Sequence, residues 1–295
     1  MKNRSRVYVI TLIISLLTIF ACTSSTSQYD YEETKELVSF VNSAVELIEK
    51  NGEEVFPQFK LKGSQWLHND LYIFVWGLDG MRYVYPPDPS GEGKNMLELK
   101  DINEKPIGKL FVQAVSGHAG EGWVHYEWPK LEDDVPTWKS TFLKKAVAPS
   151  GNEYLVGSGL YDMPIDKAFV VYNVDQAIAF LKKNGKSAFK VLRSISGPYR
   201  FMSCYIFIKD MQGNELFNAA FPELEGTNIM ELRDTDGQLF VKNEIDILKH
   251  RDYCWNEYMW PRPGQEKPSL KRVYVKKALV DGETMIVGCG YYPKN

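Results

Sequence analysis

Lys139 and Lys271 stand 132 residues apart in this 295-residue chain, and each follows a Tyr-x-Trp-Pro segment that recurs at the same interval: Tyr126, Trp128 and Pro129, then Tyr258, Trp260 and Pro261. Tyrosine and tryptophan carry an apolar body with one polar atom, which suits the wall of a small-molecule pocket. A lysine at the end of such a pocket offers the charge-assisted hydrogen bonds that a carboxylate needs. Alternation along a strand places Val124, Tyr126 and Trp128 on one face, and Asn256, Tyr258 and Trp260 on the equivalent face. The candidate ligand contacts are therefore Tyr126, Trp128, Lys139, Tyr258, Trp260 and Lys271, with Lys144 and Lys276 as a further pair at the same interval. The pattern also suits aromatic residues in a core, with lysines as solvated strand-edge charges. Both readings stand open on the sequence.

Other chemistry is thinner. His118 and His125 flank the glycine-rich turn Gly117-His118-Ala119-Gly120-Glu121-Gly122, but no third ligand has a fixed spacing and the second half of the chain has no counterpart. No metal site is expected, and the glycines are expected to shape a loop over the pocket. Glu132-Asp133-Asp134 reads as a solvated loop, and His68 and His250 as isolated surface residues. Neither HExxH nor GxSxG occurs, and Gly157-Ser158-Gly159 falls in a strand pattern rather than a strand-to-helix elbow. Neither an enzyme nor a cofactor is expected.

The N-terminus has the form of an export signal. Lys2, Arg4 and Arg6 precede a nearly continuous apolar run from Val7 to Phe20, short for a spanning helix. It closes on Ile19-Phe20-Ala21-Cys22, which resembles a bacterial lipobox, so Cys22 is expected to carry lipid after removal of residues 1–21. Residues 22–31, rich in Ser and Thr, are expected to form a tether. Loss of the three basic residues takes the formal charge from −3 to −6. An acidic body with no basic block argues against nucleic acid. The expected location is the cell envelope, lipid-anchored and facing the periplasm or the exterior. Beyond Cys22, the cysteines Cys204, Cys254 and Cys289 read mainly as buried apolar residues, with a Cys204–Cys289 bridge as an alternative.

The elements that must position the lysines are themselves written twice. Lys50-Asn51-Gly52 returns as Lys183-Asn184-Gly185, Tyr72-Ile73-Phe74 as Tyr205-Ile206-Phe207, Gly108-Lys109-Leu110-Phe111-Val112 as Gly237-Gln238-Leu239-Phe240-Val241, and Gly157, Gly159 and Tyr161 as Gly288, Gly290 and Tyr292. A period this long is a domain rather than a solenoid unit. Val38, Val41, Val45 and Ile48 form a helical stripe repeated by Val174, Ala177, Ile178 and Leu181. Strands are expected at Leu71–Val75 and Cys204–Ile208, and three more close each half: 122–128, 137–146 and 153–161, then 253–260, 270–279 and 284–292. Asn95 with Glu98, and Asn228 with Glu231, have the capping-box spacing of a short helix. The class is α+β, in two units at 32–165 and 166–295.

The ordered pattern Gly-x-Gly-Trp-Val-x-Tyr-x-Trp-Pro, a lysine-bearing strand and Val156-Gly157-Ser158-Gly159-Leu160-Tyr161 resembles the single-Cache sensor domain, and Trp255 to Pro261, Lys271 to Val275 and Val287 to Tyr292 repeat it. The second unit departs from the pattern before its tryptophan, with Asp252-Tyr253-Cys254. The resemblance implies two tandem PAS-like Cache units, each a long N-terminal helix packed on a five-stranded antiparallel sheet, with a small-molecule pocket on one sheet face. It also implies a sensory role. The expected function is a lipid-anchored extracytoplasmic module for a small carboxylate or amino-acid-like metabolite, signalling through a partner such as a transmembrane receptor or kinase. The alternatives are an interaction module without a ligand and an extracytoplasmic hydrolase.

Overall fold

The computed structural model describes residues 26–68, 70–130 and 135–293. Cys22 and the Glu132-Asp133-Asp134 run lie outside the described residues.

Each unit opens on a long helix, α1 (Glu32–Asn51) and α3 (Lys167–Asn184). In α1 the stripe Leu37, Val38, Val41, Ala44, Val45 and Ile48 is buried, and in α3 Phe169, Val170, Val174, Ala177, Ile178 and Leu181. Such a stripe must find an apolar partner, because the helix alone cannot remove it from water. Both helices stop where the repeated Asn-Gly predicts: Gly52 at φ 70° and Gly185 at φ 56° take the left-handed region and cap Ile48 and Leu181 carbonyls.

The partner is a sheet. In unit 1 the strands are β1 (Phe74–Gly77), β2 (Arg82–Val84), β3 (Glu121–Pro129), β4 (Pro136–Val147) and β5 (Glu153–Tyr161), with a helix α2 (Ile107–Ser116) before β3. Unit 2 has β6 (Ile206–Asp210), β7 (Glu215–Asn218), α4 (Phe240–Leu248), β8 (Tyr253–Pro261), β9 (Pro268–Val280) and β10 (Glu283–Tyr291). The sheet orders are β2-β1-β5-β4-β3 and β8-β9-β10-β6-β7, every pairing antiparallel. The last strand of each unit thus lies at the centre of its sheet, so its first and last strands are neighbours. A two-residue pair, Leu67–His68 with Leu71–Tyr72, precedes β1.

The expected fold, two α+β units with a long helix on a five-stranded sheet, is the fold observed. Two details differ. Asn95 and Asn228 cap no helix: each side-chain oxygen accepts the amide two residues on, Leu97 and Met230, and each side-chain NH2 ties back to the hairpin turn at Asp79 or Gln212. A capping box and such a turn share the same local sequence, and here the hairpin partner decides. Tyr29, inside the expected tether, is buried and accepts a hydrogen bond from Trp123 Nε1, while the Asp30 and Tyr31 amides donate to Asp166. Cys204, Cys254 and Cys289 are unbridged and buried.

The repeated Gly-x-Gly of the central strand has a packing cause. A Cβ on Gly157 would meet the Phe74 ring and Leu143, and one on Gly288 the Phe207 ring and Val275. Overpacked core sites typically cost about 1–3 kcal/mol. Gly157→Ala and Gly288→Ala are each expected to lose stability in that range, read as a lower urea midpoint at constant slope; an unchanged midpoint in both would refute this account of the glycines.

Candidate functional site

Alternation divides each sheet between two tasks. In β4, Phe142 and Ala146 face α1, whereas Lys139, Thr141 and Leu143 face the other way, toward Tyr72, Phe74, Trp76, Tyr126 and α2. In β9, Lys271 lies on the corresponding face, with Tyr205, Phe207, Tyr258 and Phe240 of α4. All six candidate residues gather on these faces, three in each unit.

Lys139 and Lys271 are each only 1% exposed. Lys139 Nζ donates to Tyr72 Oη at 3.1 Å and lies 4.4 Å from the centre of the Tyr161 ring. Lys271 Nζ donates to Tyr205 Oη at 2.7 Å and lies 4.1 Å over that ring, with Phe207 and Tyr292 at 5.3 and 5.8 Å. Among the described residues neither lysine forms an ion pair with a carboxylate. Aromatic faces and one hydroxyl compensate only part of the lost hydration. Burial accordingly pulls Lys139 down to about 7 and Lys271 to about 8.

The second glycine of each Gly-x-Gly makes room for these lysines. A Cβ on Gly290 would sit 2.7 Å from Lys271 Cε, and one on Gly159 would sit 3.0 Å from Lys139 Cε and collide with Thr141 Oγ1. The aromatic walls are partly core as well. Tyr126 packs edge-on to Phe111 at 5.6 Å and shares a 3.0 Å hydrogen bond with Thr141, and Tyr258 stacks on Phe240 at 4.1 Å. Trp128 and Trp260 are half-buried at the outer end. In unit 2 Lys271, Tyr258 and Trp260 line a cavity of about 20 Å3, room for about one water.

Sequence reasoning missed Tyr72 and Tyr205 as the lysines' partners, although both belong to a repeated triplet. It also missed a buried polar group in unit 2: Lys209 pairs with Glu244 at 2.6 Å, and Glu215 lies on the strand beside it. No repeat marks that group, since unit 1 lacks it. Lys144 and Lys276 are on the opposite face. Lys144 bonds Asn42 of α1 and pairs with Glu121, and Lys276 pairs with Asp175 of α3. The glycine-rich turn does not cover the pocket. It leads into the junction between units, where a Cβ on Gly122 would strike the Tyr172 hydroxyl. His125 lies in the same junction, stacked on Phe201 at 4.1 Å with Nδ1 2.9 Å from Ser140 Oγ; burial pulls it down to about 3, so it is neutral.

A Cache-domain family model (dCache_2) matches residues 58–162 and 171–292. The chain belongs to the Cache domain family. A stretch of 88 residues, 30% of this chain, is 27% identical to the methyl-accepting chemotaxis protein McpP of Pseudomonas putida, and covers 16% of that protein's length. Similar solved structures include a methyl-accepting chemotaxis protein of Vibrio parahaemolyticus, 24% identical over 43% of this chain and 87% of the other, with a TM-score of 0.37. They also include the ligand-binding domain of the Pseudomonas fluorescens chemoreceptor CtaA in complex with L-serine, 12% identical over 88% of each chain, with a TM-score of 0.32. No described helix of this Cache protein is long and apolar enough to cross a membrane.

The lysines imply a measurable pH dependence. Unfolded Lys139 titrates near 10.5 and folded Lys139 near 7. Between those values the unfolded state holds a proton the folded state has released, so this lysine makes stability rise with pH across the window. The stability of the parent protein relative to Lys139→Met is therefore expected to increase from pH 7 to pH 9.5 in urea titrations without ligand. A constant difference would show that Lys139 is not a desolvated cation.

Proposed function

We propose that this Cache protein is an extracytoplasmic sensory module that binds a small carboxylate or amino-acid-like metabolite and reports occupancy to a partner protein, such as a transmembrane receptor or kinase. The observation that carries the reading is the pair of buried lysines, Lys139 and Lys271, each hydrogen-bonded to a tyrosine and paired with no carboxylate among the described residues. A ligand carboxylate would take up the donor capacity that one hydroxyl leaves over. Tyr126, Trp128, Tyr258 and Trp260 would then form the aromatic walls. Membership of the Cache family and the similarity to a chemotaxis protein support the sensory part of the reading.

A ligand specific for the folded state adds about 2.7 kcal/mol at 100 times its dissociation constant, a shift of a few degrees in melting temperature for domains of this size. A thermal-shift series with acetate, propionate, lactate and small amino acids is expected to give such shifts. Removing one charge-assisted contact costs about 1.5–3 kcal/mol, or roughly 10–100-fold in affinity. Lys139→Met or Lys271→Met should therefore weaken a carboxylate by that factor. Full shifts in both variants and in the double variant would exclude the lysines, and no shift with any anion would favour a ligand-free interaction module.

The anchoring part of the reading rests on Ile19-Phe20-Ala21-Cys22 after a basic and apolar leader. Lipid on Cys22 would hold the module at a membrane surface. Metabolic labelling with a fatty acid should mark the parent protein and leave Cys22→Ser unlabelled; equal labelling of the two would rule this anchor out.

A further inference from the structure

We propose that the two units are selective for different ligands, and that unit 2 takes a small zwitterion whose carboxylate meets Lys271 and whose ammonium group meets Glu215. The proposal rests on the reading of Lys271 as a carboxylate partner and adds the second half of the ligand.

The units share their lysine, their tyrosines and their tryptophan, but differ at positions around them, four of which set the charge of this face. Trp76, Arg82, Tyr85 and Val115 in unit 1 correspond to Lys209, Glu215, Asn218 and Glu244 in unit 2. The pairing registers agree, with Trp76 opposite Arg82 and Lys209 opposite Glu215. At these positions unit 1 has one charge, a cation: Arg82 donates from Nε to the Gly91 carbonyl and lies 4.3 Å from the Tyr85 ring. Lys139 is the other buried cation of this unit, and a face with cations and no buried acid at these positions suits a simple anion.

Unit 2 has two acids and two lysines buried together. Lys209 and Glu244 neutralise each other, and Glu244 accepts a further hydrogen bond from Asn256 at 3.3 Å. Glu215 is left incomplete. It is 2% exposed, its Oε1 accepts from Asn218 Nδ2 at 2.7 Å, and its Oε2 is buried with no hydrogen-bond partner among the described residues. A buried acceptor without a donor is costly and calls for a partner. Glu215 and Lys271 line the same cavity. An ammonium group supplies the donors Oε2 lacks, and a carboxylate on the same molecule supplies the anion Lys271 lacks. A simple anion would leave Glu215 unmet, and a simple amine would leave Lys271 unmet.

Size narrows the class. The cavity of about 20 Å3 is smaller than any amino acid. Its outer wall is formed by the half-buried side chains of Trp260 and Leu224, which must yield to admit a ligand. Glycine, alanine and β-alanine ask the least displacement.

The charge state of Glu215 gives a readout that needs no substitution. The groups around it are Lys209 on the neighbouring strand, Glu244 on α4, Lys271 on β9, and the hydroxyls of Tyr205 and Tyr258, both held neutral by burial. Burial raises Glu215 to about 7, with Lys209 opposing. Only the ionised form would accept an ammonium group strongly, so zwitterion affinity should fall as pH drops through this value, approaching tenfold per unit. A simple carboxylate meets no such requirement.

The test is isothermal titration of the whole chain with glycine, L-alanine and β-alanine against acetate and propionate, between pH 5.5 and 8. The expected result is amino-acid binding that weakens below pH 7, with an amino-acid to carboxylate selectivity that drops at least about tenfold in Glu215→Gln. Undiminished selectivity in that variant, or amino-acid affinity flat from pH 5.5 to 8, would overturn the role of Glu215. Binding of acetate or propionate but of none of the three amino acids would also overturn it, while leaving the lysine reading intact. Carboxylate and amino-acid binding that both survive Lys139→Met, Lys271→Met and the double variant would bring down the underlying reading.

Discussion

A lysine amine withdrawn from water with no ion-paired carboxylate among the described residues is the constraint on which both units turn. Such a group is tolerated only where its surroundings replace part of its hydration. Lys139 and Lys271 have a tyrosine hydroxyl, aromatic faces and the notch left by Gly159 or Gly290. The hydroxyl, the lysine and the notch come from different parts of the unit. The tyrosine precedes the first strand of the sheet, the lysine is on the fourth and the glycine is on the fifth. The site therefore exists only when the last strand of a unit inserts beside its first, as the observed sheet order requires.

The long helices make that arrangement possible by occupying the other face. Val41, Val45 and Ile48 in α1, and Val174, Ala177 and Leu181 in α3, are fully or nearly fully buried. Covering one sheet face in this way confines polar chemistry to the opposite face. There α2 and α4 close over the aromatic rings. The same geometry explains why Lys144 and Lys276, five residues beyond the buried lysines, have a different role: an odd spacing on a strand reverses the face.

The units also pack closely on each other. Lys105 Nζ, fully buried, donates to the His125 carbonyl in unit 1 and to the Arg200 carbonyl in unit 2, at 2.8 and 3.0 Å. Asp166 caps α3 through Ala168 and also receives the Asp30 and Tyr31 amides, just ahead of α1. Leu110 and Ala114 of α2, the helix that covers the unit 1 pocket face, also line a cavity of about 50 Å3 against Tyr172 and Tyr199 of unit 2. One helix is thus a wall of both a candidate site and the junction.

The sequence by itself determined the duplication, the α+β class, the two long helices with their Asn-Gly stops, and the face shared by Tyr126 and Trp128 and by Tyr258 and Trp260; that the lysines join those faces came from the structure. Those features are local: helix stripes, strand alternation and left-handed glycines act over a few residues and leave a periodic trace. What the tertiary structure decided involves residues far apart in the chain. Tyr72 meets Lys139 across 67 residues and Tyr205 meets Lys271 across 66. Lys209 finds Glu244 across 35, which leaves Glu215 beside them without a partner for one oxygen. The Asn95 and Asn228 turns follow the same rule, since a hairpin many residues earlier overrode a helix-start pattern. Burial, charge pairing and the identity of a missing partner depend on which strands become neighbours, and no periodicity along the chain records that.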